Sequence, residues 1–500
     1  MKYTRKATPV VLATTLALTL AACAQSERTS GTDQTTGGDT KATFTFGAAG
    51  APEVFDPFYA SDGETFRVTR QMFEGLVGIK AGTADIEPEL AEKWEPSQDG
   101  KSWTFSLRKG VKFTDGEAFN AAAVCYNFDR MFDQNEVAAA GPAEYWSGTM
   151  GGFKSDAANS LYKSCEAKDD STAVINITHP TSKFPTALSL DSFSMQSPKA
   201  LKAGDANNVT KQGEGFGYPA YSKSPVGTGP YKLEKYDEAN KTITLVRNDD
   251  YWGEKAKTAK ITFKIIPDES TRRQELKAGS IDGYDLPNPV DWKGLKDDGN
   301  NLLVRPAFNI LYLGLNPEKA KSLLKEAGAE GMTLTFAYPS EVSRPYMPNP
   351  QKIHDALRSD LEKVGIKVNV VTKPWNGGYL DSVDKGQFDA WLLGWTGDYN
   401  APDNFIGTFF GSLASNDFHT KATSYGKTLS EDLVKDDAIV DEAARTAAYE
   451  KLNQQIMEEY LPGLPLTHSP PALVVGPDVQ GVVASPLTAE TFSTVTVGGK

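Results

Sequence analysis

Apolar and polar positions alternate in short runs from residue 43 onward, and the period of that alternation changes near the middle of the chain. TFTFGA at 43–48, KSWTFSLRKGVKF at 101–113, YKLEKYD at 231–237, TITLVRN at 242–248 and KITFKII at 260–266 predict strands, with the period of two clearest in the last two. GETFRVTRQMFEGLVGI at 63–79 predicts a helix, as does AFNAAAVCYNFDRMF at 118–132. The stretch 141–224 is rich in Gly, Ser, Lys and Asp and reads as irregular α+β structure.

The second half follows a different grammar. MTLTFAYP at 332–339, IKVNVV at 366–371 and DAWLLGW at 389–395 predict strands. Between the first two lies NPQKIHDALRSDLEKVG, with Asn349 as cap, Pro350 at the first helical position and Gly365 beyond the end. Its stripe of Ile353, Ala356, Leu357, Leu361 and Val364 gives one apolar face. PEKAKSLLKEAG at 317–328 repeats the pattern, with Asn316 as cap and Ala320, Leu323, Leu324 and Ala327 as its stripe. YLDSVDKG at 379–386 is helix-like, and AARTAAYEKLNQQIMEEY at 443–460 predicts a helix stopped by Pro462. Strand, helix, strand, helix, strand is a βαβ succession, so the fold class is α/β with a parallel sheet.

Composition narrows the function classes. Of 500 residues, 39% are hydrophobic and 23% charged, the balance of a globular chain long enough for about three domain-sized pieces. The net charge of −13 repels phosphate backbones, so no nucleic-acid partner is expected. Three cysteines and four histidines exclude zinc-finger arrays, iron–sulfur clusters and disulfide-rich scaffolds, and no metal site or cofactor is expected. His179, His354, His419 and His468 stand far apart and read as packing or surface residues.

Lys2, Arg5 and Lys6 precede an apolar run too short for a permanent membrane helix, which ends Leu20-Ala21-Ala22-Cys23. Residues 1–22 therefore read as a signal peptide, and Cys23 as the lipidated residue of a bacterial lipobox; the rival is an ordinary secretory signal with a chance cysteine. Residues 23–42 are nearly free of apolar side chains and predict a flexible tether. The expected location is the outer face of a cytoplasmic membrane. In an exported chain Cys125 and Cys165 are expected to form a disulfide, with two buried free thiols as the alternative.

Ligands of open α/β sheets bind beyond the carboxyl ends of the strands. One such end here reads Ser343-Arg344-Pro345-Tyr346-Met347, and another reads Gly394-Trp395-Thr396-Gly397-Asp398. Arginine forks onto a carboxylate and aspartate accepts from an ammonium, so the pair suits a zwitterion. The plainer readings are that Arg344 and Asp398 are solvated, or pair with each other, and that Trp391 and Trp395 are core aromatics.

Several segments, in order along almost the whole mature chain, resemble the dipeptide- and oligopeptide-binding class of extracellular solute-binding proteins of ABC transporters. They include QMFEGL at 71–76, IEPELAEKWEPSQDGKSWTFSLRKGVKFTDGEAF at 86–119, SPVGTGPYKLEKYD at 224–237, RNDDYWG at 247–253, SRPYMPNP at 343–350 and GWTGDYNAPDNF at 394–405. The resemblance implies a two-lobed periplasmic-binding-protein-like fold, with a hinge crossed twice and a cleft that closes over a peptide. It implies a first lobe at 43–267, with an inserted α+β piece about 60–223. It places a second lobe at 268–470 and a return to the first at 471–500. It further implies that Asp398 takes the peptide ammonium, that Arg344 takes the carboxylate, and that Gly394 and Trp395 line the peptide. Gly50 and Ala51 would form the opposite wall. Two end charges favour dipeptides, a monomer is expected, and the implied partners are an ABC permease and its ATPase.

One departure stands out. Against the family pattern a piece of the second lobe is missing after Asn316, either a deletion covered by another element or a defect that exposes core. Rival functions are a secreted hydrolase, the same fold holding a nickel chelate, haem or oligosaccharide, and a peptide sensor. No G-x-S-x-G, H-E-x-x-H or phosphate-loop motif supports the hydrolase.

Overall fold

The structure is a computed structural model that describes residues 42–213, 215–315, 332–363, 366–411, 416, 418–439 and 441–498. The signal segment, Cys23, the tether up to residue 41, the 317–328 helix, the junction at Asn316, Val364 and Gly365 lie outside the described residues.

Two sheets organise the chain. The first has seven strands in the order Tyr231–Asp237, Thr242–Arg247, Lys260–Ile265, Thr43–Ala48, Gly283–Asp285, Ala472–Val475 and Asn301–Val304. Thr43–Ala48 runs parallel to Lys260–Ile265, with Phe46 opposite Phe263. Phe44, Phe46, Ile261 and Phe263 are fully buried, which accounts for the alternation read in these strands. Phe492, from the end of the chain, packs its ring 5.2 Å from both Phe44 and Phe46.

The second sheet has five strands in the order Lys367–Pro374, Thr333–Ser340, Ala390–Thr396, Asn309–Leu315 and Gly463–Thr467. Its first three strands are mutually parallel, joined by the Pro350–Lys363 helix and by a helical turn and short helix over 375–384. The remaining two add antiparallel, so the sheet is mixed. The outermost strand is solvent-facing, with Leu464 and Leu466 exposed. The Glu442–Gln455 helix continues through one wider turn to Tyr460 and stops where Leu461 turns left-handed, just before Pro462.

A third layer is a four-stranded antiparallel sheet of Ala91–Pro96, Ser102–Leu107, Thr172–Ile177 and Tyr162–Asp169, with the Ala121–Phe132 helix against it. Its core is aromatic, with Phe105, Phe128, Trp146 and Tyr162 buried. Cys125 on the helix is bonded to Cys165 on the outer strand, tying the two together across a sequence separation of 40.

Two expectations are corrected. The helix over 63–79 spans only Gly63–Thr69; Val77–Ile79 is a strand paired with Ile86–Pro88. The chain turns into that strand at Gly75, where a side chain would sit 2.9 Å from the Val77 carbonyl oxygen. The second lobe does not begin at 268. Gly283–Asp285 and Asn301–Val304 complete the first sheet through Ala472–Val475, and the second sheet starts at Asn309.

The chain passes between the sheets twice, over 305–308 and 468–471. The two passages are bonded to one another: the Arg305 amide donates to Pro471 O at 2.8 Å, and the Asn309 side-chain amide donates to Ser469 O at 2.9 Å. Paired crossing strands of this kind are what a hinge between two lobes requires. Among the described residues no helix is long and apolar enough to cross a membrane.

Candidate functional site

A cavity of about 340 Å³ lies between the two lobes. The second lobe contributes the carboxyl ends of its three parallel strands. After Thr333–Ser340 the chain makes a tight turn closed by reciprocal bonds between Arg344 and Met347, 3.1 and 2.9 Å, which presents Arg344 to the cavity. After Lys367–Pro374 comes Trp375, whose ring lies 4.3 Å from the Arg344 guanidinium carbon. The indole fixes the plane of the guanidinium without supplying a counter-charge. Arg344 Nε is buried and has no hydrogen-bond partner among the described residues.

The end of Ala390–Thr396 brings Gly394, Trp395 and Asp398 to the same cavity. Gly394 is fixed by packing: a Cβ there would meet Ile310 O at 2.3 Å and the Tyr346 ring at 2.5 Å. Since Tyr346 belongs to the Arg344 turn, the glycine lets the two loops lie side by side. Asp398 is set by Asn404, whose Oδ1 accepts the Asp398 amide at 2.7 Å and whose Nδ2 donates to Asp398 Oδ2 at 3.4 Å.

The first lobe closes the other side. Tyr145, at the start of the Glu144–Met150 helix, turns its hydroxyl toward the Asp398 carboxylate and places its ring 6.5 Å from Trp395. The Gly63–Thr69 helix, capped by Asp62, forms much of the wall, with Glu64, Arg67 and Arg70 facing in. Arg67 is ion-paired to Asp285 and Arg70 to Asp191. Arg344 is thus the one arginine of the lining without a carboxylate partner among the described residues.

Burial pushes the Asp398 carboxyl up to about 7; the hydrogen bonds from Asn404 and Tyr145 pull it down without offsetting that, while Asp191 and Arg70 act in opposite senses. Burial, reinforced by the nearby Asp398 charge, drives the Tyr145 hydroxyl well above its ordinary range, so it stays a donor.

Of the residues expected from sequence, Arg344, Gly394, Trp395 and Asp398 meet in one cavity. Arg344 and Asp398 form no ion pair with each other among the described residues, and Trp391 is a core residue, 1% exposed. Gly50 and Ala51 are not among the lining residues; Glu64 stands against Gly50 and takes the wall position instead. Sequence reasoning missed Trp375 and Tyr145. Trp375 follows a parallel strand, so the carboxyl-end rule reaches it, whereas Tyr145 lies in an irregular stretch that carries no signal. The four histidines are structural or superficial: His354, His419 and His468 each bond a backbone carbonyl, and His179 lies 3.1 Å from Thr178 Oγ1. Among the described residues no group of three or more His, Cys, Asp or Glu is placed to hold a metal ion.

Two α/β lobes, a doubly crossed hinge and a cavity at the seam define a class of proteins that close over small solutes. The chain belongs to the bacterial extracellular solute-binding proteins, family 5, whose model matches residues 85–318 and 307–417. It is 30% identical to the dipeptide-binding protein of Escherichia coli strain K12, over 91% of this chain and 94% of that one. It is also 30% identical to haem-binding protein A of Haemophilus influenzae, over 99% and 100%. Among solved structures it resembles the periplasmic binding protein DppA of Helicobacter pylori in complex with the peptide STSA, with a TM-score of 0.76 and 26% identity over 92% of this chain and 99% of that chain.

Proposed function

We propose that the protein captures short peptides, dipeptides by preference, in the interlobe cavity and delivers them to an ABC permease and its ATPase. The observation that carries this reading is the pair of opposite, unmatched end groups. Among the described residues Asp398 is enclosed by neutral donors and forms no ion pair, and Arg344 is stacked on Trp375 without a carboxylate partner. A peptide ammonium and carboxylate supply both. Strand-end backbone at Gly394 and Trp395 can extend the ligand as a short strand, so side chains are read less strictly than termini. The reading includes no catalytic step.

The relatives' names leave haem as a second solute, and the lining argues against it. Carboxylates outnumber guanidiniums ten to three among the described lining residues, which opposes a ligand carrying two propionates. No His, Met or Cys is among them to serve as an axial or metal ligand. The same acidity favours the ammonium end of a peptide.

The reading extends to the remainder of the chain. Cleavage before Cys23 and acylation of its thiol would anchor a monomeric body by residues 23–42 to the outer face of a cytoplasmic membrane, where a permease could receive it. Cys23→Ser should release the protein or leave it unprocessed; a mutant of the same mature mass that stays on the membrane contradicts the anchor. Native mass spectrometry of the exported protein tests the ligand directly. Co-purified dipeptides support the reading, and a co-purified porphyrin, sugar or metal chelate overturns it.

A further inference from the structure

A second set of contacts joins the lobes away from the cavity. Lys183 of the first lobe donates to Asp403 Oδ2 of the second at 2.7 Å, and both side chains are largely buried, with 15% and 16% exposed. Two residues earlier, Thr181 Oγ1 donates to Asp437 Oδ2 at 2.8 Å, and the Asp437 charge also acts on Lys183. None of these four residues lines the cavity.

Each half of the contact is anchored in its own lobe. Lys183 directly precedes Phe184, which is fully buried and stacks on Trp103 at 6.2 Å. Asp403 sits over Gly407, where a Cβ would meet its Oδ1 at 2.0 Å, and Asp437 ends the Gly426–Asp437 helix. Asp403 also precedes Asn404 in the Pro402–Asn404 turn, and Asn404 is the residue that orients Asp398. Contact between the lobes at 403 and ammonium capture at 398 are therefore properties of one short turn.

We propose that Lys183 and Thr181, with Asp403 and Asp437, form a clasp that holds the cleft shut and sets how long the ligand stays, without touching it. This rests on the peptide reading above. Lys183 is a positioning residue: with the lobes apart its ammonium and the Asp403 carboxylate are both hydrated, and only closure brings them together. Removing the ammonium leaves the buried Asp403 carboxylate with only the Tyr399 hydroxyl at 3.4 Å and no cation in the closed form, so the closed population falls and the dissociation rate rises.

The test is stopped-flow binding of alanyl-alanine to the parent and to Lys183→Met, Thr181→Val and Lys183→Arg. Lys183→Met should dissociate the dipeptide about tenfold faster with an association rate changed by less than about threefold, the mark of a lost buried charge partner. Thr181→Val should show a smaller change in the same direction, and Lys183→Arg should restore most of the residence time. The melting temperature without ligand should be unchanged in Lys183→Met while the rise caused by dipeptide shrinks, because the contact exists only in the closed form. An unchanged dissociation rate in Lys183→Met, or an equal loss of melting temperature with and without dipeptide, overturns the clasp while leaving the peptide reading in place. A parent protein that binds no dipeptide overturns the peptide reading, and the clasp's role with it.

Discussion

Asp285 and Asp398 both face the interlobe cavity, and they are held in opposite ways. Asp285 ends a strand of the first sheet beside the hinge. Arg305 reaches it from the crossing segment at 2.7 Å, Arg67 pairs with it from the wall helix, and Arg305 also pairs with Glu490 at 2.5 Å. Burial would raise the Asp285 carboxyl, but the two guanidiniums outweigh it and hold the group at about 2. Asp398 is enclosed as well, yet the groups that face its carboxylate are the Asn404 side-chain amide and the Tyr145 hydroxyl, neither of them cationic. The difference separates architecture from function. A carboxylate matched by fixed cations holds the hinge end of the fold together, whereas one matched only by neutral donors fits the role proposed for it, of pairing with a cation from outside.

Mutation should break the comparison most clearly. Asp285→Ala leaves Arg305 and Arg67 buried without their shared acid and is expected to cost about 3–5 kcal/mol of folding stability by chemical denaturation. Asp398→Ala should leave stability within about 1 kcal/mol of the parent, since no fixed cation is abandoned. Its effect falls on binding instead: dipeptide affinity should drop by about a hundredfold or more in calorimetry, because the ligand ammonium is then buried unpaired. Arg344→Ala should lose a similar factor for a free dipeptide and little for one amidated at its C-terminus.

Acid should sharpen the comparison, with opposite signs at the two sites. The Asp285 carboxyl lies below its ordinary 3.8, so its stabilisation is present above about pH 4 and lost as pH falls through about 2. Asp398 lies above its ordinary 3.8, so the empty closed cleft gains a proton as pH falls through about 7, and its stability rises on the way down. A peptide ammonium needs the ionised form. Affinity should therefore weaken as pH drops below about 7, by at most about tenfold per unit, and Asp398→Asn should lose that dependence.

Regions of strict period were legible in the sequence. The strands at 242–247 and 260–265 alternate buried and half-buried residues, as does the start of 43–48, and the cap–proline–stripe grammar marked the 350–363 helix. The same grammar, read together with the carboxyl-end rule, put Arg344 and Asp398 just past the ends of two strands of one sheet. What escaped was set by contacts distant in sequence. Gly283–Asp285 is only three residues long, and its assignment to the first sheet depends on pairing with Val475 and on Phe46 beside it. Tyr145 reaches Asp398 from 253 positions away, on a helix too short for periodicity to reveal. The cavity wall lies at Glu64 rather than Gly50 because Asp62 caps a helix there and turns its first residues inward.

The central claim is that Asp398 stands ready for a peptide ammonium, and calorimetric titration of the parent protein with alanyl-alanine and with its N-acetylated form tests it most directly. The account predicts that acetylation, which removes the charge and little else, weakens binding by about a hundredfold or more in the parent and has little further effect in Asp398→Ala. Equal affinity of the parent for the free and acetylated dipeptides would contradict it.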